Sequence, residues 1–186
     1  MYRDDELYQR YLSGDTVAYD TLMLRHGDRL VLYLNGYLHD WQDAEDLMIE
    51  AFAQIMVKKP TIRAGNFKAY LYRTARNLAS RFHTSFRKVR VFSLEAMALD
   101  DQLADGPLLE NQMEEQERAR TLHRCLARID PTLREALWLV YFEGLSYAQT
   151  AEVMRVNSKR VEKLLARGKE HLRTELEREG MTHAYE

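Results

Sequence analysis

Residues 64–82, AGNFKAYLYRTARNLASRF, combine an apolar helical spacing with an unusual set of charges. Their apolar positions lie four, four, three and four residues apart: Phe67, Leu71, Ala75, Leu78 and Phe82. Side chains at this spacing share one face of an α-helix. The stretch has no acid and carries these basic residues and tyrosines: Lys68, Tyr70, Tyr72, Arg73, Arg76 and Arg81. We expect a helix whose apolar face meets a core and whose other faces carry the charges and the tyrosines.

Helical spacing recurs along almost the whole chain, which has only 3 Pro and 8 Gly and no alternating strand pattern. This predicts an all-α fold. We expect helices over residues 4–12, 15–38, 40–58, 67–82, 113–129, 131–143, 147–154 and 158–178. Gly27 marks a candidate break in the second of them. The predicted N-terminal caps are Asp15, Asp40, Asp130, Ser146 and Asn157.

Charges are segregated along the chain, although the formal net charge is only −2. Residues 40–50 contain acids and no Lys or Arg, whereas residues 51–94 contain ten Lys and Arg and no acid. Residues 95–117 are acidic again. A basic block on a chain kept near neutrality by acids elsewhere is typical of a protein that binds a nucleic-acid backbone. The alternative is a solvated basic face without a ligand.

Composition limits the classes of protein to which the 186-residue chain can belong. Its 46% hydrophobic content is normal for a globular protein. The single cysteine, Cys125, excludes an internal disulfide and fits a reducing compartment. The chain contains neither a signal-peptide core nor an apolar run of the roughly 20 residues that a membrane span requires. We therefore expect a cytoplasmic protein without membrane insertion.

The helical pattern dissolves between residues 93 and 112. The segment LDDQLADGPLLENQ, residues 99–112, mixes acids and small residues with Gly106-Pro107 and is typical of a flexible linker. This acidic linker, residues 93–112, would join two small helical domains, residues 1–92 and residues 113–180.

Residues 143–168, EGLSYAQTAEVMRVNSKRVEKLLARG, predict a helix-turn-helix. A short helix after Ser146 is followed by a turn through Val156-Asn157 and by a second helix. The second helix of such a motif can enter the major groove of DNA and present its N-terminal side chains to the bases. Its polar residues face away from the apolar stripe, with Arg160 near the boundary: Ser158, Lys159, Arg160, Lys163 and Arg167. An ordinary helical hairpin is the alternative.

Three motifs, in order, resemble the extracytoplasmic-function group of the sigma-70 family of bacterial RNA polymerase sigma factors. Residues 43–47, DAEDL, followed by Glu50, Ala51 and Phe52, resemble the acidic signature of region 2 in this family. Residues 66–77, NFKAYLYRTARN, resemble the segment that comes after that signature. Residues 130–135, DPTLRE, and 141–147, YFEGLSY, resemble the start of region 4. The resemblance covers about residues 5–88 and 114–178.

This resemblance implies a role for each surface of the first domain. The partner would be bacterial core RNA polymerase, through its β′ and β subunits. The acidic helix would bind the β′ subunit through these residues: Asp43, Asp46, Glu50 and Gln54. The loop and basic helix would bind the minus-ten promoter element through these residues: Arg63, Gly65, Asn66, Phe67, Lys68, Tyr70, Arg73, Arg76 and Arg81. The loop would receive a flipped base, and the basic side chains would hold phosphates.

The second domain would bind the minus-thirty-five element through the helix-turn-helix residues already named. Here the chain departs from the family pattern, because Glu162 and Leu164 replace usual basic residues. Gly168 inside a helix costs roughly 1 kcal/mol relative to Ala. Tyr70 likewise replaces a usual Trp in the first domain. The preferred promoter sequence and the strength of upstream binding therefore stay open. The acidic linker resembles the family's connector, for which a solvated spacer is the alternative.

Together these features predict a sigma factor that binds core polymerase, recognises promoter DNA and assists strand opening, without enzymatic activity, metal or cofactor. An anti-sigma factor would be a further partner. One alternative is a helix-turn-helix regulator that acts without polymerase, but this leaves the acidic and basic helices unexplained. A magnesium enzyme using Glu45, Asp46 and Glu50 would need a facing carboxylate helix, and residues 51–94 contain no acid. The six His lack a zinc-binding spacing.

Overall fold

The computed structural model describes residues 2–85 and 110–180, and every regular element in these ranges is helical. Its α-helices are α1 Asp4–Leu12, α2 Thr16–Leu38, α3 Trp41–Lys58, α4 Phe67–Ser85, α5 Glu110–Ala127, α6 Pro131–Leu137, α7 Tyr147–Met154 and α8 Ser158–Arg178. A π-helical segment, Trp138–Phe142, follows α6. The all-α prediction is confirmed. None of the helices in the described ranges is long and apolar enough to cross a membrane.

The predicted N-terminal caps are all formed: Asp15, Asp40, Asp130, Ser146 and Asn157. Each side chain accepts a hydrogen bond from a backbone amide in the first turn of its helix. Such a cap typically stabilises a helix by about 1 kcal/mol, because the first amides have no partner within the helix. The starts of five helices are therefore local properties of the sequence.

Three boundary predictions were wrong. α2 continues through Gly27, because this residue is buried against α3 and the packing supports the helix on both sides of it. α5 begins at Glu110, so the last three residues of the predicted linker are helical. The helix predicted over residues 131–143 changes to π-helical hydrogen bonding, in which the amide of Glu143 donates to the carbonyl of Trp138 at 3.0 Å. Most of the predicted linker, residues 93–109, lies outside the described residues.

Helices α1 to α4 pack around buried aromatic side chains, of which the largest are Tyr8, Tyr33, Phe52, Phe67 and Tyr72. Burying a phenol without a hydrogen-bond partner is unfavourable, so a core tyrosine usually finds an acceptor. The hydroxyl of Tyr8 donates to the carbonyl of Pro60 at 2.8 Å. This bond ties α1 to the loop that precedes α4.

Helix α4 is buried on more than one side. The predicted stripe is confirmed, with Phe82 half-buried and these residues buried: Phe67, Leu71, Ala75 and Leu78. The prediction that Tyr72 faces outward was wrong, because its ring is fully buried with its centroid 5.1 Å from that of Tyr33. The reason is tertiary, since Tyr33 of α2 packs on the ring and Glu143, at the end of the π-helical segment, interacts with its hydroxyl.

Helices α5 to α8 form the C-terminal unit, in which α6 and α8 approach closely at Gly168. A Cβ at position 168 would lie 3.1 Å from Cδ1 of Leu137, closer than a normal contact. Leu164, one turn earlier, is buried in the same unit. Leu164 and Gly168 thus have a packing explanation, whereas Glu162 is exposed. The buried apolar residues of the two units belong to one continuous core.

Candidate nucleic-acid and polymerase interfaces

The acidic face of α3 is open to solvent. Asp46 and Glu50 are exposed, Asp43 is half-buried, and Gln54 donates to Oε1 of Glu50 at 3.1 Å. In the part of the chain that the structure describes, neither Asp46 nor Glu50 forms an ion pair with a basic side chain. Ile49 is exposed beside them, at 53%. The residues predicted to bind polymerase therefore form an accessible surface of acids with an apolar side chain among them.

The loop between α3 and α4 borders a cavity of about 490 Å³. Gly65 has φ of +76°, a backbone conformation that glycine adopts without strain. Arg63, Ala64 and Phe67 line the cavity from this side, and α1 contributes Tyr8. Phe67 is only 1% exposed, so its main role is in the core, where its ring lies 5.3 Å from that of Tyr8. The opening is large enough for a flat aromatic ligand.

Two basic residues of α4 lie along a groove next to α3. Arg73 is half-buried, and its guanidinium lies 4.9 Å from the ring centroid of Tyr70. Arg81 is exposed further along the helix. Both line a small polar cavity of about 140 Å³ together with Lys58. This arrangement gathers positive charge and an aromatic ring on one accessible side of α4.

Lys68 faces the other way and pairs with Glu143 of the C-terminal unit. Its Nζ lies 2.9 Å from Oε2 of Glu143 and donates to the main-chain oxygen of the same residue at 2.6 Å. Nε of Arg29 lies 3.3 Å from Oε2, and the Glu143 side chain is 0% exposed. Two cations therefore balance one buried carboxylate. Burial and this negative charge raise the pKa of Tyr72 well above its usual value.

Arg76 makes a second pair across the two units, with Glu135 of α6. Its Nε lies 2.8 Å from Oε1 of Glu135, whose side chain is 5% exposed. The hydroxyl of Tyr33 also donates to Oε1 at 2.9 Å, and Arg76 donates to the hydroxyl of Tyr37 at 3.2 Å. Burial acts to lower the pKa of Arg76, but Tyr37 and Glu135 outweigh it, so the pKa is raised. The guanidinium stays charged in this cluster.

The loop before α4 also contacts α7. Nδ2 of Asn66 donates to Oε2 of Glu152 at 2.9 Å, and Nε2 of Gln149 donates to the carbonyl of Gly65 at 2.9 Å. These contacts are exposed and lie at the edge of the interface. In this arrangement, which we call the closed conformation, the C-terminal unit covers part of the surface predicted to bind the minus-ten element.

The sequence alone predicted no role for Arg29, Tyr33, Glu135 or Glu143. A signal for the two acids was present, because they flank the apolar run of residues 136–142, ALWLVYF, while the basic block has no acids of its own. A buried carboxylate requires a cation or several hydrogen-bond donors. Which basic residue meets which acid could not be deduced, since the partners are 59 and 75 residues apart.

The second helix of the helix-turn-helix, α8, presents its predicted DNA-binding residues to solvent: Ser158, Lys159, Arg160, Lys163 and Arg167. Its opposite face is buried through these residues: Val161, Leu164, Leu165 and Gly168. The turn before it has Arg155 in the left-handed region, with φ of +56°. α8 packs against α5, α6 and α7, so its outer face stays accessible in the closed conformation.

Groups of three or more His, Cys, Asp or Glu that could hold a metal ion do not occur within residues 2–85 and 110–180. The packing partners of α3, which carries Glu45, Asp46 and Glu50, are α2 and α4.

Comparison with known proteins identifies relatives of both units. The family model for Sigma-70 region 2 matches residues 22–89, and the model for Sigma-70 region 4 matches residues 119–172. The RNA polymerase sigma-H factor of Pseudomonas aeruginosa is 32% identical over 161 residues, which cover 82% of this chain and 83% of that protein. The ECF RNA polymerase sigma factor SigW of Bacillus subtilis is 25% identical, with 88% of this chain and 91% of that protein covered.

Two solved structures share the fold at lower identity. CnrH in complex with the cytosolic domain of CnrY has a TM-score of 0.62 and 22% identity, covering 94% of this chain and 97% of that chain. The sigma factor RpoE in complex with the anti-sigma factor NepR, from Bartonella quintana, has a TM-score of 0.58 and 19% identity, covering 86% and 96%.

Proposed function

Because this chain belongs to the extracytoplasmic-function group of the sigma-70 family, we propose that it binds core RNA polymerase, recognises promoter DNA and assists strand opening. The observation that carries this proposal is the presence of matches to regions 2 and 4 in one chain. A regulator acting through its helix-turn-helix alone would have no use for the acidic face of α3 or the basic groove of α4. The nucleotide chemistry would belong to the polymerase, and this chain would be a non-enzymatic subunit.

The acidic face of α3 is the proposed contact with the polymerase β′ subunit. Asp43, Asp46, Glu50 and Gln54 would supply it. The open acids Asp46 and Glu50 favour approach to a basic partner surface, because complementary charge steers encounter and fixes orientation. The exposed Ile49 adds apolar area that a partner could bury.

The cavity beside the loop is the proposed site for one unstacked base of the minus-ten element. Extruding a base costs a few kcal/mol, which stacking and edge contacts must offset. The ring of Tyr8 and the side chain of Arg63 line this cavity and provide an aromatic and a cationic surface. Arg73 and Arg81 would hold phosphates, and Gly65 would let the strand approach the backbone closely.

The closed conformation has to open before the whole basic face can bind DNA. Lys68 and Arg76 are engaged with Glu143 and Glu135, and Asn66 is engaged with Glu152. A phosphate cannot replace these acids while the C-terminal unit remains in place. We therefore propose that binding to polymerase and promoter separates the two units and exposes these side chains.

An anti-sigma factor is a further proposed partner. The sigma factor RpoE of Bartonella quintana was solved with the anti-sigma factor NepR, and this chain shares that fold with a TM-score of 0.58. A partner of this kind would compete with core polymerase for the same surfaces. Its action would be seen as loss of holoenzyme formation when both are mixed.

The function is tested by measuring binding to purified core polymerase and transcription from promoter templates. The double variant Asp46→Ala/Glu50→Ala is expected to bind core about tenfold more weakly or worse, because each substitution removes a charge from the docking face. The matched control Asp20→Ala/Asp28→Ala removes two exposed acids from α2 and should bind as the wild type does. Arg73→Ala should keep core binding and weaken binding of a minus-ten single strand.

The alternative function predicts a different pattern. If the wild-type chain shifts duplex DNA but does not associate with core polymerase, it is a helix-turn-helix regulator and the sigma-factor proposal is wrong.

A further inference from the structure

The DNA-facing side of α8 carries one acid among its basic residues. Positions 161, 164, 165 and 168 are buried, which places positions 159, 162, 163 and 166 on the outward face of the helix. Glu162 is therefore exposed between Lys159, Lys163 and Ala166. This is the face that a helix-turn-helix presents to the major groove.

Glu162, like Glu170, forms no side-chain ion pair within the described residues, whereas two later acids of the same helix do. Glu177 pairs with Arg173 at 3.0 Å, and Glu175 pairs with Arg178 at 2.5 Å. Ser158 and Ala166, four residues before and after Glu162, cannot form an ion pair with it. Lys159, three residues before Glu162, is within reach but forms no ion pair with it in the described residues. The carboxylate of Glu162 is therefore available to a ligand.

A carboxylate on this face is repelled by the phosphates of DNA. It favours binding only where a base edge offers a hydrogen-bond donor to it. In the major groove the donors are the N4 amino group of cytosine and the N6 amino group of adenine. Adenine presents its N7 acceptor beside N6, which repels a carboxylate. Cytosine has no neighbouring acceptor on its own ring edge, so cytosine is the better partner.

The neighbours of Glu162 allow its side chain to reach the groove floor. Ser158 and Ala166 are small and exposed, so they do not hold the helix away from the bases. Lys159 and Lys163 flank the carboxylate and offset its repulsion from the phosphates. Either lysine can also donate to O6 or N7 of the guanine that pairs with the cytosine.

We infer that Glu162 is a specificity-determining residue that accepts a hydrogen bond from the N4 amino group of one cytosine in the upstream promoter element. The inference rests on the proposed function, in that α8 is taken to bind the minus-thirty-five element.

The inference is tested by selecting bound sequences from a library with a randomised upstream element. Both the holoenzyme and the full chain alone are used. The wild type should select a cytosine at one position, and Glu162→Ala should reduce that preference by about 5- to 150-fold while leaving the other positions unchanged. Glu162→Gln should shift the preference at that position toward adenine, because a carboxamide matches its N6 and N7. Glu170→Gln, an exposed acid two turns later, is the control and should change nothing.

Several results would overturn the inference. Glu162→Ala could bind all sequences more tightly by the same factor, which would make Glu162 a repulsive charge without base recognition. An unchanged cytosine preference, or no selected sequence with either form of the protein, would also refute it. Failure of the sigma-factor proposal is distinguishable, because it appears as no binding to core polymerase even if the chain alone still selects a Glu162-dependent cytosine.

Discussion

The pair between Arg76 and Glu135 allows the closed conformation to be tested quantitatively. Glu135→Ala removes a carboxylate whose side chain is 5% exposed and leaves the Arg76 guanidinium, 26% exposed, without its counter-charge. Tyr33 loses its acceptor in the same cluster. When the two units separate, Arg76 regains water, so the substitution destabilises the closed conformation and has little effect on the open one.

The size of the effect follows from the burial of the pair. Removing one partner of a fully buried ion pair costs about 3–5 kcal/mol. Because Arg76 keeps partial access to solvent, we expect a smaller value of about 2–3 kcal/mol. At 1.4 kcal/mol for each factor of ten, the ratio of open to closed molecules should rise by about 30- to 150-fold.

Energy transfer between two dyes measures this ratio directly. Cysteines introduced at the exposed positions Asp20 and Glu170 would carry the dyes, while Cys125 is buried and resists labelling. Transfer efficiency should fall in Glu135→Ala, and affinity for a minus-ten single strand should rise by up to the same factor. Glu152→Ala, which removes only the exposed bond to Asn66, is the matched control and should change either quantity less than about fivefold.

One result would refute the reasoning. If Glu135→Ala lowers the melting temperature but leaves both the transfer efficiency and the single-strand affinity unchanged, the cluster stabilises the fold without controlling access to α4.

The remaining predictions concern stability. Gly168→Val should destabilise the protein by about 1–3 kcal/mol in urea denaturation, because the added side chain meets Leu137 at less than contact distance. The control Ala166→Val, on the exposed face of α8, should have a much smaller effect. Equal effects of the two substitutions would contradict the packing explanation. Burial, and to a smaller extent the neighbouring tyrosines, raises the pKa of Tyr8 from 10.0 to about 12 in the folded protein. As pH rises, Tyr8 therefore loses its proton in the unfolded chain before it does so in the folded protein. The contribution of Tyr8 to the free energy of unfolding should be complete below pH 10 and lost as pH rises to about 12. Tyr8→Phe should make this alkaline decline shallower while costing about 1 kcal/mol at neutral pH through the lost bond to Pro60; an unchanged alkaline slope would show that Tyr8 does not contribute to it.

Much of the candidate site was predictable because its residues lie on faces that a single helix defines. The acids of α3 and the basic residues of α8 are exposed where helical periodicity places them. The loop before α4 was also located correctly, and the structure adds the cavity that it borders. Their roles in binding polymerase and DNA stay predictions that the experiments above test.

The prediction for α4 was less complete, because its surroundings depend on the C-terminal unit. The apolar stripe predicted for α4 was correct, but Tyr72, predicted to face outward, is buried. Lys68 and Arg76 pair with Glu143 and Glu135, which come after the predicted linker in the chain. Nothing within the helix distinguishes Arg76, which meets Glu135, from Arg73, which stays beside the groove. That difference arises only when α4 is packed against its neighbours.

By itself, the sequence determined the helices, their caps, the buried stripes and the helix-turn-helix, because these depend on residues within one or two turns of each other. Only the tertiary structure decided that Leu137 packs against Gly168 and that Glu143 is buried between Lys68 and Arg29. These features join residues far apart in the chain, and their free energies depend on distance and solvent exclusion, which periodicity does not encode.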